Sequence, residues 1–195
     1  MKRVVLIGDS IRMNYQDKVR EKLEGVCEIL SPKDNCGDTL SSIRDMRRWF
    51  SDWGKVDMIH WNNGIWEHHR NADDDLPFTS PEIYLALTMR LHNHRKGYSD
   101  KIMWASTIPC GEQYDPASHV LLTLSREEWN REIALYNRVA SAYFRKEGVP
   151  INDLYSVLAG DPKEFYVEDG IHLSDAGKDA AAEQVAAKIR EMLEL

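Results

Sequence analysis

The tripeptide Gly8-Asp9-Ser10 follows a strand-like run of residues and could supply a nucleophile. Gly8 permits a tight turn, so we expect Ser10 in or beside the first turn of the helix that follows. There, exposed backbone N–H groups and the positive end of the helix dipole would stabilise an alkoxide or a tetrahedral oxyanion. Asp9 and Ser10 are also common N-cap residues, so a helix start without any chemistry is the alternative interpretation.

A second segment, Asp169-Gly170-Ile171-His172, places a carboxylate three residues before an imidazole. A serine is a poor nucleophile until a base takes its proton, and histidine is the usual base near neutral pH. The carboxylate can then hold the other ring nitrogen. We therefore interpret Ser10, His172 and Asp169 as nucleophile, general base and orienting acid. The alternative is an Asp-Gly turn beside an incidental histidine.

Two further segments could donate hydrogen bonds to an oxyanion. Gly37 lies just beyond the second predicted strand, and Asn62-Asn63-Gly64 directly follows the third. The N–H of Ser10, the N–H of Gly37 and the side-chain amide of Asn63 would make an oxyanion hole with three donors. Taken singly, each of these residues is more typical of an ordinary turn, but four such elements in this order at strand ends favour a site.

Short apolar runs alternate with longer amphipathic ones along the chain. This pattern predicts a parallel sheet covered by helices on both faces, which is a three-layer α/β/α sandwich. The expected strands are Lys2–Ile7, Val26–Leu30, Val56–His60, Lys101–Ala105 and Val149–Asn152; the expected helices span 14–24, 39–52, 81–96, 126–147 and about 175–193. Because sites in such sheets form beyond the carboxyl ends of the strands, all four segments should meet at one edge.

Together the four segments resemble those of the SGNH (GDSL-type) hydrolases, serine esterases and lipases built on a flavodoxin-like sheet. The first block matches as Gly8-Asp9-Ser10 and the last, Asp-x-x-His, as Asp169 and His172. Gly37 falls at the second-block glycine and Asn63 at the third-block asparagine. The family pattern Gly-x-Asn-Asp reads Trp-Asn-Asn-Gly here, which leaves Asn62 as the alternative to Asn63. The resemblance covers essentially the whole chain and implies neither a metal nor an organic cofactor.

Composition narrows the class of protein further. A chain of 195 residues is expected to form one domain over 1–195, and its net charge of -7 argues against a nucleic-acid partner. No apolar run is long enough to predict a membrane-spanning helix. Three cysteines without a CxxC pair suit a reducing compartment, and the first strand is too short for a secretory signal. We therefore expect a cytoplasmic protein without a membrane or nucleic-acid partner.

The substrate pocket must be built by the loops at 61–80 and 107–125, because the predicted strands and helices use most of the chain. Neither loop contains a long apolar stretch for a fatty acyl chain, and Trp61 and Trp66 could stack on sugar rings. We therefore expect hydrolysis of short acyl esters, acetyl above all, on a carbohydrate. A promiscuous small esterase or lysophospholipase-type lipase is one alternative, and a catalytically silent carbohydrate-binding protein is the other. Either tryptophan could instead pack into the core.

Overall fold

Five parallel strands form the centre of the molecule, in the order β2-β1-β3-β4-β5. The computed structural model describes residues 1–118 and 121–195. The strands are β1 (Lys2–Ile7), β2 (Cys27–Leu30), β3 (Met58–Trp61), β4 (Ile102–Ala105) and β5 (Ile151–Asn152). Strand order reverses between β1 and β3, which opens a crevice at their carboxyl ends. Ile7 lies opposite Trp61 there, so the turn at Gly8 and the segment from Asn62 begin side by side.

Helices cover both faces of this sheet. They are α1 (Ser10–Lys22), α2 (Thr39–Trp53), α3 (Pro81–Arg95), α4 (Arg126–Lys146), α5 (Leu154–Leu158) and α6 (Asp175–Leu193). Side chains of β1 alternate between two apolar clusters: Val4 and Leu6 pack with residues of α1 and α6, and Val5 and Ile7 with residues of α2 and α3. The predicted flavodoxin-like α/β/α sandwich is therefore confirmed. None of the described helices is both long and apolar enough to cross a membrane.

The boundaries of several elements differ from the sequence-based expectation. Helix α1 begins at Ser10 and not near residue 14, because the Asp9 carboxylate accepts the Ile11 N–H at 2.9 Å and caps the helix at its first residue. Strand β3 begins and ends later than predicted, at Met58 and Trp61. The short helix α5 was not predicted; it begins where Asp153 accepts the N–H of Ser156.

The loop that enters α6 depends on a glycine. Gly170 has a φ of 68°, and its carbonyl accepts the Gly111 N–H at 2.7 Å. A Cβ at position 170 would lie 2.2 Å from the backbone nitrogen of Tyr114. Only glycine both adopts this conformation readily and leaves room for the 111–114 segment. The glycine thus fixes the loop between Asp169 and His172 against its neighbour.

Candidate active site

The structure brings Ser10, His172 and Asp169 into one hydrogen-bonded chain. Ser10 Oγ lies 2.9 Å from His172 Nε2, and His172 Nδ1 lies 2.7 Å from Asp169 Oδ2. Ser10 is the first residue of α1, while the other two residues lie on the loop before α6. This geometry lets Nε2 take the serine proton while the carboxylate holds Nδ1–H, as in a serine hydrolase triad.

Asp169 is held in an orientation that suits this contact. Its other carboxylate oxygen accepts the backbone N–H groups of Ile171 at 2.8 Å and His172 at 2.9 Å. Partial burial acts to raise the pKa of Asp169, but the hydrogen bonds from His172 and Ile171 outweigh it and lower that pKa below its ordinary value. The carboxylate is therefore charged at neutral pH and can stabilise an imidazolium.

Arg12, which the sequence analysis did not single out, fixes the loop after β2 against the turn that bears Ser10. Its buried guanidinium donates to the carbonyls of Gly8 at 3.3 Å, Pro32 at 3.1 Å and Asp34 at 2.8 Å. A Cβ on Gly8 would lie 2.8 Å from the Arg12 Cβ, so the close approach requires glycine there. Arg12 also donates to Gln16 Oε1 one helical turn further along α1. The backbone carbonyls among its partners leave no signal in the sequence.

The expected oxyanion donors are only partly available. Among the described residues, the Ser10 N–H at the start of α1 has no hydrogen-bond acceptor. The Gly37 N–H donates to Asn35 Oδ1 at 2.9 Å. The Asn63 amide donates to the Gly37 carbonyl at 2.9 Å and to Ser42 Oγ at 3.2 Å, so both of its hydrogens are used.

The role of Asn63 as a direct oxyanion donor stays a prediction, because in this structure both amide hydrogens are bonded within the protein. Its side chain is buried, and its oxygen accepts the Trp61 indole N–H at 2.9 Å, which fixes the orientation of the amide. The amide of Asn62, the alternative, is also bonded within the protein: it donates to the Ala105 carbonyl at 2.8 Å and to the Thr107 hydroxyl at 3.3 Å. What Asn63 does is hold the Gly37 peptide in place.

A cavity of about 350 Å³ opens beside Ser10 and His172. Both expected loops contribute to it, although residues 119 and 120 of the second loop lie outside the described residues. Besides Ser10, Asp169 and His172, its walls consist of Asn35, Ile65, Trp66, His69, Ser118, Leu121, Leu122 and Ile171. Of the chain's two candidate pocket tryptophans, only Trp66 lines it. Asn35 is a wall residue that the sequence analysis missed.

Trp61 does not contact the cavity, and its expected role as a pocket wall is corrected. As the last residue of β3 it points into the core, fully buried among the side chains packed under α2 and α3. The Arg95 guanidinium lies 3.3 Å from the centre of its ring, a cation–π contact inside the protein. Trp61 is the last residue of its strand, and the register of the sheet decides that its side chain points into the core and not toward the cavity.

No three His, Cys, Asp or Glu side chains within 1–118 and 121–195 are grouped so that they could hold a metal ion. The three cysteines, Cys27, Cys36 and Cys110, are all buried free thiols.

Solved structures with the same fold include esterases and lipases. A carbohydrate acetylesterase family member from Sinorhizobium meliloti superposes with a TM-score of 0.79 at 16% identity, with 100% of each chain covered. An aryl esterase from M. smegmatis gives 0.78 at 16% identity over 98% of this chain and 100% of that one. A GDSL-like lipase from Bacteroides thetaiotaomicron gives 0.74 at 15% identity over 97% and 88%.

No protein-family model matches the sequence, and no curated protein matches it either. At such low identities the structural likeness shows the fold. The chain has the SGNH-hydrolase fold, and the resemblance drawn from the sequence motifs is confirmed at that level.

Asp9, beside the candidate nucleophile, gives a prediction about stability. Burial raises the pKa of Asp9 to about 6, although its hydrogen bond with Ile11 and the charge of Arg12 act to lower it. Between about pH 4 and pH 6 the unfolded chain therefore releases a proton that the folded protein keeps. Stability contributed by the protonated group is lost as the pH rises through this window, by about 3 kcal/mol in total.

We expect Asp9→Asn to remove this loss, because asparagine keeps the helix cap without a charge. The difference in unfolding free energy between variant and wild type, measured by urea titration, should increase from pH 4 to pH 6. Asp17→Asn, which changes an exposed carboxylate on the same helix, is the control and should show no such increase. A pH-independent difference for Asp9→Asn would contradict the burial argument.

Proposed function

We propose that this protein is a serine esterase that hydrolyses short-chain acyl esters. The observation that carries the proposal is the continuous hydrogen-bonded chain from Ser10 through His172 to Asp169 at the edge of the cavity. The neighbours of the same fold support it, since they are a carbohydrate acetylesterase family member, an aryl esterase and a GDSL-like lipase.

In the proposed reaction, Ser10 Oγ attacks the ester carbonyl carbon and its proton passes to His172 Nε2. Asp169 stabilises the resulting imidazolium and keeps the ring oriented. The tetrahedral intermediate collapses as the C–O bond to the leaving alcohol breaks, and the alcohol takes the proton from Nε2. A water molecule then attacks the acyl-serine with His172 again as base, which releases the carboxylic acid and restores Ser10.

The negative charge on the carbonyl oxygen needs donors, and two backbone groups are the best placed. The Ser10 N–H has no acceptor among residues 1–118 and 121–195, and it lies at the positive end of α1. The Gly37 N–H would exchange its present acceptor, Asn35 Oδ1, for the oxyanion, since Asn35 lines the same cavity as Ser10. Asn63 supports this exchange by holding the Gly37 carbonyl from the other side. One such donor contributes about 10²–10³ in turnover in other hydrolases.

The cavity supports a short acyl group on a ring-shaped alcohol. Ile65, Leu122 and Ile171 give it an apolar wall near the nucleophile, and a cavity of about 350 Å³ must hold the acyl group and part of the alcohol. Trp66 is half-buried at the same wall and offers an aromatic face to a sugar ring. Within this proposal, acetyl esters of oligosaccharides are the substrates that these surfaces fit best.

Ser10→Ala should lower the turnover of p-nitrophenyl acetate by at least about 10⁴-fold, because the nucleophile is lost. Ser118→Ala is the matched control: Ser118 lines the same cavity, but its hydroxyl donates to the Asp115 carbonyl and takes no part in the chain of hydrogen bonds from Ser10 through His172 to Asp169. We expect the control to retain wild-type turnover. Equal activity of Ser10→Ala and wild type in this assay would overturn the proposal and favour a silent carbohydrate-binding protein.

The acyl preference can be measured with p-nitrophenyl esters from acetyl to decanoyl. We expect kcat/KM to be highest at two to four carbons, because longer chains exceed the space beside Ser10. A maximum at eight carbons or more would instead favour a lysophospholipase-type lipase.

The carbohydrate part of the proposal has its own test. Release of acetate from acetylated xylo-oligosaccharides, with a higher KM in Trp66→Ala than in wild type, would support it. Equal KM values in the two proteins would exclude stacking on Trp66.

A further inference from the structure

One face of α1 contacts the C-terminal part of the chain at three successive helical turns. Ser10, Asn14 and Lys18 are spaced four residues apart and therefore share this face. Ser10 contacts His172, Asn14 Oδ1 accepts the Leu173 N–H at 2.9 Å, and Lys18 forms a 2.8 Å ion pair with Asp179. The bond from Leu173 lies one residue beyond the candidate base.

The loop that carries His172 is otherwise hydrogen-bonded to segments other than α1. The Gly170 carbonyl accepts the Gly111 N–H at 2.7 Å, the His172 carbonyl accepts the Val167 N–H at 3.0 Å, and the Ser174 N–H donates to the Phe165 carbonyl at 3.0 Å. Within the part of the chain that the structure describes, the Asn14–Leu173 bond is the one hydrogen bond, besides the Ser10–His172 contact, between residues 169–174 and α1.

We propose that Asn14 is a positioning residue that sets the distance between Ser10 Oγ and His172 Nε2. The inference rests on the proposed esterase function. Asn14 touches neither the substrate cavity nor the reacting atoms; it acts through the backbone of Leu173, to which the base is joined. A proton transfer over 2.9 Å tolerates little displacement, and about 1 Å of misplacement can cost about 10²-fold in rate. The side chain at position 14 must supply a hydrogen-bond acceptor, since the group it binds is a backbone N–H.

The test compares kcat, KM and the pH–rate profile for p-nitrophenyl acetate in wild type, Asn14→Ala and Asn14→Asp. We expect Asn14→Ala to lower kcat by about 10- to 100-fold with KM within about threefold, because binding is kept and proton transfer is impaired. Asn14→Asp keeps an oxygen acceptor and should restore kcat to within about threefold at high pH. Its acidic limb should move to higher pH, because the added carboxylate favours the protonated imidazole.

Lys18→Ala is the matched control, since it removes the contact one turn further along the same face. We expect it to leave kcat and the pH profile unchanged. A kcat for Asn14→Ala within twofold of wild type would overturn the inference, as would an equal loss in Asn14→Asp or in Lys18→Ala. These results differ from failure of the proposed function, in which wild type itself would show no turnover that depends on Ser10; in that case the inference fails with it.

Discussion

The hydrogen bond between Ser10 and His172 is the contact on which the candidate site depends, because it joins positions 162 residues apart. It forms because the first and last helices pack together on one face of the sheet. Lys18 pairs with Asp179 and Lys22 with Glu183 along the same helix pair, but these exposed ion pairs contribute little free energy. Apolar packing between the helices brings the two ends together, and the short polar contacts set the final distance.

Buried polar side chains then fix the other loops around this contact. Arg12 holds the loop after β2 through backbone carbonyls. Glu67 holds the loop after β3, where its carboxylate accepts the Thr39 N–H at 2.6 Å at the start of α2. Burial raises the pKa of Glu67 to about 7, although the bonds from Thr39 act to lower it. The loops after β2 and β3, which border the cavity, are thus bonded to the first turns of α1 and α2. These bonds keep Gly37 and Trp66 in fixed positions.

The sequence predicted the fold and the meeting of Ser10 with His172, because both depend on local patterns and a general rule about strand ends. It could not predict where the side chains of the third strand point. Trp61 was expected at the pocket, but sheet register turns its indole into the core. Asn63 follows the strand, and its amide donates to the Gly37 carbonyl. The sequence did not indicate the role of Arg12 for a related reason: the Pro32 and Asp34 carbonyls that it binds are backbone groups distant in sequence, and no residue pattern records such contacts.

The central claim is that Ser10 is the nucleophile. The most direct test is to find which residue a covalent inhibitor of serine hydrolases modifies. Diethyl p-nitrophenyl phosphate traps an activated serine. The serine Oγ attacks phosphorus and displaces p-nitrophenolate, while the serine proton passes to the neighbouring base. Peptide mapping by mass spectrometry then locates the diethylphosphoryl group. We predict one diethylphosphoryl group per chain, on Ser10, and a rate of labelling that falls sharply in His172→Ala. No adduct, or an adduct on Ser118 at the same cavity, would contradict the claim.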